Sequence, residues 1–138
     1  VKVLARDASW VAEARGKVIK AISMLLYSLP GEFEYRVIFM TRRMEEILAS
    51  QTAMLARLGQ ANDGLPDDEM SRHYEKHLAK LRPWLEQQKN IKTLYCSYND
   101  LLGGPRPVLE SVNNFLGGRL DIEKMLSAID PVLYRQKK

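Results

Sequence analysis

Cysteine is almost missing from this chain. A single Cys96 among 138 residues rules out an intrachain disulfide and any cysteine-based zinc site. In its apolar surroundings it reads as a buried, unreactive thiol, and the reducing cytoplasm is the compartment this cysteine usage implies. Long apolar runs are missing too. None approaches the roughly 20 residues that span a bilayer, and no secretory leader is visible, so no membrane partner is expected. Histidine is scarce: only His73 and His77, four residues apart on an expected helix. Tyr74 follows the first, where a zinc protease needs Glu, and no third ligand accompanies them; they read as a surface pair, and no metal is expected.

Charge of neither sign dominates. There are 21 Lys+Arg against 17 Asp+Glu, a net +4, with adjacent basic residues only at Arg42-Arg43 and Lys137-Lys138. No basic stripe alternates with aromatics, so no nucleic-acid partner is expected; the mild excess suits a small anionic ligand. A glycine-rich phosphate loop is also lacking. Gly16, Gly31, Gly59 and Gly64 are isolated, and Gly103-Gly104 and Gly117-Gly118 have no Lys, Ser or Thr partner beside them.

What is present belongs to an ordinary globular protein, with 46% hydrophobic and 28% charged residues. The length predicts one domain over residues 1–138 with a modest core. A short helix is expected near Ala8 to Ala14. Lys17 to Ser23 reads as a strand continuing into Met24 to Tyr27, and Pro30-Gly31 as a turn. Arg36 to Met40 is a nearly continuous apolar run, as in a parallel strand buried on both faces. Helical spacing of Met44, Ile47, Leu48, Met54, Leu55 and Leu58 predicts a helix from about Arg43 to Leu58, ended by Gly59. Gln60 to Leu65 reads as a polar loop at a substrate entrance. Pro66-Asp67-Asp68-Glu69 opens another helix, with Met70, Tyr74, Leu78, Leu81 and Leu85 on one face and Pro83 expected to kink or divide it. Lys92 to Cys96 is a strand, and Pro105 to Leu116 and Asp121 to Ile129 are helices. Strands alternating with helices predict an α/β fold with a sheet of at least three parallel strands, near residues 17–23, 36–41 and 92–97.

The residues from Arg36 to Ser50 carry the chemistry. A strand runs through Arg42-Arg43 into an amphipathic helix with Glu45 and Glu46 in its first turn and Ser50 beyond. A cation at a strand end, a helix N-terminus and a hydroxyl suit an anion; the competing reading pairs the arginines with Glu45 and Glu46. This layout resembles the 3′-phosphate-binding segment of the sulfotransferases, which places a serine eight residues after the arginine, as Ser50 follows Arg42. The resemblance continues through Leu94-Tyr95-Cys96-Ser97-Tyr98-Asn99-Asp100-Leu101-Leu102, Pro105, Asn114-Phe115-Leu116-Gly117 and Asp130-Pro131-Val132-Leu133-Tyr134-Arg135. It covers most of residues 17 to 135 and is similar to a compact bacterial sulfotransferase-like group.

The resemblance implies a three-layer, P-loop-type fold with a parallel sheet flanked by helices. It implies 3′-phosphoadenosine-5′-phosphosulfate as co-substrate and a hydroxyl or amine on a small molecule as acceptor. Arg42 and Ser50 would hold the 3′-phosphate, and Tyr98 would contact the adenine. Asn99 stands where the family more often has Glu. The family's Lys-Thr-His segment falls on Lys20-Ala21-Ile22, so Lys20 is a possible charge stabiliser while Ile22, in place of the base, cannot move a proton. Val1 opens the chain without methionine, so the missing phosphate loop is expected upstream, the chain being a fragment inactive alone with an exposed sheet edge that favours self-association. The alternatives are a non-catalytic binding or scaffold remnant of the fold, and a nucleotide-kinase-like protein, which would need a Lys in the missing loop.

Overall fold

The computed structural model describes residues 10–57, 59 and 66–130. They fall into two compact units, Val1–Tyr35 and Arg36–Lys138. The Gln60 to Leu65 loop and the closing Pro131 to Arg135 lie outside the described residues.

In the first unit, α1 spans Trp10–Glu13 and buries Val11. The expected strand at 17–23 does not form. Residues 18–22 are irregular, with Val18 96% and Ile22 50% exposed. Ile22 has extended backbone, φ −78° and ψ 147°. β-branched residues thus bring the backbone to an extended conformation, but a strand needs a hydrogen-bonded neighbour, and none is paired here. The continuation folds instead as a 3₁₀ helix, Ser23–Ser28, which buries Leu26. Past the turn at Pro30-Gly31, the Tyr35 hydroxyl donates to the Pro30 carbonyl at 2.8 Å.

The second unit is mixed α/β. Its sheet has two parallel strands, β1 (Tyr35–Thr41) and β2 (Ile91–Ser97). Parallel neighbours need a long crossover, supplied by α2 (Met44–Arg57) and α3 (Asp67–Gln87). After β2 come α4 (Tyr98–Gly103), α5 (Pro105–Phe115) and α6 (Ile122–Ser127). Helices α3, α4 and α5 pack on β2, α2 packs on α3, and α6 on α5. The core consists of Leu81 and Leu85 from α3, Phe39 from β1, Ile91 and Cys96 from β2, and Leu109 from α5. The Phe39 and Tyr95 rings meet across the strands with centroids 5.5 Å apart, and the Arg82 guanidinium of α3 lies 5.4 Å from the Tyr95 ring centre.

Two sequence expectations need correcting here. β1 is not buried on both faces: Val37 and Phe39 are on its better covered side, while Arg36 and Met40 on the other are exposed. Arg36 reaches from that face to donate to the Phe115 carbonyl at 3.1 Å, placing a cation at the negative end of α5. Nor does Pro83 divide α3, which runs unbroken through it. Proline withholds a hydrogen bond from the Ala79 carbonyl, but both residues are exposed, so water can satisfy that carbonyl.

Helix ends follow local chemistry. Asp121 caps α6, accepting from the Glu123 and Lys124 amides at 3.0 and 3.2 Å. Beyond α5, Gly118 at φ +72° donates its amide to the Asn113 carbonyl at 2.7 Å. A left-handed residue there satisfies carbonyls that the helix end leaves open. A Cβ on Gly118 would meet nothing within 4 Å, so Gly118→Ala isolates the backbone cost. It is expected to lower unfolding free energy by about 1–2 kcal/mol in urea titrations. Gly103→Ala, on the last turn of α4 and equally open, should be neutral or stabilising by up to about 1 kcal/mol. Equal effects at both glycines would refute the conformational argument.

Candidate functional site

Both strands of a parallel sheet present their carboxyl ends on one side, and there the chain must turn into helices. Ligands of open α/β sheets gather at that edge. In the second unit a recess of about 310 Å³ lies there, lined by Thr41, Arg42, Arg43, Ser97, Asn99 and Asp100. The three from β1 and its exit face the three from the end of β2 and the start of α4. The Thr41 hydroxyl donates to the Cys96 carbonyl at 3.2 Å and ties the two strand ends together. The Ser97 hydroxyl caps α4 by accepting from the Asp100 amide at 3.1 Å. Burial pushes the Cys96 thiol above its ordinary pKa, which keeps it protonated and unreactive.

Behind the recess lies Glu46, in the first turn of α2, with only 1% of its side chain exposed. Its Oε2 accepts from Arg42 Nε at 2.7 Å and its Oε1 from Asn99 Nδ2 at 2.9 Å. Arg42, 22% exposed, also lies over the Tyr98 ring, with Cζ 4.8 Å from the centroid. The guanidinium is therefore held at its edge by a carboxylate and on its face by an aromatic ring. Arg43 is exposed at the mouth of the recess.

Of the residues singled out in the sequence, Arg42 and Tyr98 come into contact. Ser50 is exposed farther along α2 and is not among the residues lining the recess; eight residues of helical rise would put it about 12 Å from Arg42. Lys20 is exposed in the irregular segment of the first unit. The pairing of Arg42 with Glu46, the competing reading of the sequence, is present; sequence reasoning did not single out Thr41, Ser97, Asp100 or the bond from Asn99 to Glu46. The i,i+4 spacing of Arg42 and Glu46 signals their pair, and Ser97-x-x-Asp100 before Leu101-Leu102 signals the capped start of α4.

Chemically, the arginines and the Ser97 hydroxyl offer donors to an oxyanion, and Asp100 adds an acceptor at the rim. Among the described residues no three His, Cys, Asp or Glu side chains gather as a metal site, and no helix is long and apolar enough to cross a membrane. Comparison of the chain with family models, with curated proteins and with solved structures finds no match.

Proposed function

We propose that this recess holds the phosphate of a nucleotide, and that the protein is sulfotransferase-like. The protein would transfer a sulfuryl group from 3′-phosphoadenosine-5′-phosphosulfate to a hydroxyl or amine of a small-molecule acceptor in the cytoplasm. The observation that carries this reading is the pair Arg42-Arg43 at the carboxyl ends of two parallel strands, just before the N-terminus of α2. The Arg42–Ser50 spacing and the sulfotransferase-like sequence around it agree with that reading. Arg42 would hold the 3′-phosphate, with Tyr98 beside the base and Ser50 reached by a part of the ligand extending along α2.

In this proposal β1 and β2 are two neighbours of a larger three-layer P-loop sheet, and their sides left unpaired among the described residues suit a third strand or a second copy of the chain. A second reading, binding without catalysis, is favoured by Ile22, which stands where the resemblance places the base.

Calorimetric titration of adenosine 3′,5′-bisphosphate tests the phosphate site. Arg42→Ala and Arg43→Ala are each expected to weaken binding by about 1.5–3 kcal/mol, the worth of a charge-assisted hydrogen bond. Absence of binding by the unmodified chain, or unchanged affinity in both variants, would refute the assignment. Turnover of radiolabelled donor on hydroxyl acceptors separates the catalytic reading from the binding one.

A further inference from the structure

Glu46 is the feature that a phosphate site alone does not explain. A carboxylate 1% exposed is costly to bury, and one behind an anion site repels the ligand. Yet both of its oxygens are engaged, one by Arg42 and one by Asn99. These partners come from the two opposite lips of the recess: Arg42 from the exit of β1, Asn99 from the first turn of α4 after β2. One buried carboxylate thus ties the lips together and holds the edge of the guanidinium whose face lies over Tyr98.

We propose that Glu46 is the positioning residue of this site: it orients Arg42 for a phosphate monoester before the ligand arrives. The inference rests on the phosphate reading above and specifies how that site works. Arginine has many rotamers, and fixing them in advance removes an ordering cost from binding. The device sacrifices net charge. Arg42 and Arg43 are balanced by Glu46 and Asp100, so the recess recognises its ligand through directed hydrogen bonds more than through excess positive potential.

That balance gives a test with opposite signs. Glu46→Gln keeps the shape and removes the charge. If Glu46 acts only as a negative charge near the anion, this variant binds adenosine 3′,5′-bisphosphate more tightly. If Glu46 positions Arg42, it binds on the order of tenfold more weakly, as when orienting partners of ligating side chains are removed. Titrations are run well below each variant's melting temperature, with circular dichroism confirming the fold. A merely structural Glu46 would lower the melting temperature and leave the affinity of the folded protein unchanged.

Arg42→Lys provides the second arm, should Glu46→Gln fail to fold. It retains the charge but lacks the planar fork, so positioning again predicts roughly tenfold weaker binding; unchanged affinity there overturns the proposal. Equal or tighter binding by Glu46→Gln, while the unmodified chain binds normally, also overturns it and leaves the phosphate reading intact. If the unmodified chain does not bind the bisphosphate at all, the phosphate reading falls and this inference with it.

Discussion

Leu81→Ala is expected to lower the unfolding free energy by about 2–5 kcal/mol, the range for large-to-small changes in a well-packed interior. Leu81 is fully buried at 0% exposure, and Leu85, one turn on, is at 2%. Both belong to α3, which packs against β2 on one side and α2 on another, so a cavity at Leu81 loosens the contact that joins the crossover to the sheet. With two strands among the described residues, the sheet cannot stand without that helix. The loss would be a large fraction of the roughly 5–15 kcal/mol that stabilises a typical domain. Met54→Ala, on α2, is the contrast. Met54 is 49% exposed, so removing its side chain should change stability by no more than about 0.5 kcal/mol. Guanidinium unfolding of both variants checks the pair. A Leu81→Ala cost under about 1 kcal/mol, or equal costs at the two positions, would show that α3 is not the keystone of this core.

Met54 also shows what periodicity leaves out. It shares helical spacing with Met44, Ile47, Leu48 and Leu55, yet α2 turns it toward solvent, because an apolar stripe does not say how far the neighbouring element extends to cover it. Where one element suffices to decide the outcome, the sequence was readable: the long α3 with its Pro66 opening and its buried Leu81 and Leu85, and the glycine-ended α5. Where the outcome depends on a partner, it was not. Residues 18–22 have strand chemistry but no strand beside them among the described residues, and Pro83 is tolerated because it and Ala79 lie on an exposed face of α3. The site divides in the same way. The Arg42–Glu46 pair was legible from its i,i+4 spacing, but the contact of Arg42 with Tyr98 was not, and the second bond to Glu46 comes from Asn99, 53 residues away. An ionised Glu at position 99 could only accept and would face Glu46 as a second carboxylate, whereas the amide of Asn99 donates.

The buried pair itself supplies the other large effect. Arg42→Ala is expected to cost about 3–5 kcal/mol of stability, because it leaves Glu46 enclosed without its cation. Most of that loss comes from the stranded carboxylate and not from the missing attraction. Removing both members should therefore restore much of it. The double replacement Arg42→Met with Glu46→Leu exchanges the pair for apolar groups of similar volume and is expected to recover most of the stability lost by Arg42→Ala. Asn99 would then lose its acceptor, but it lines the open recess, where water can take the amide's hydrogen bond. Denaturant unfolding of the two single variants and the double variant forms a complete cycle. A double variant as unstable as the sum of its singles would mean that Arg42 and Glu46 act independently, and the clamp would then be an incidental surface contact. If stability returns while bisphosphate binding stays lost, the arginine is retained for its ligand, and its cost to the fold is the carboxylate that must be buried to hold it.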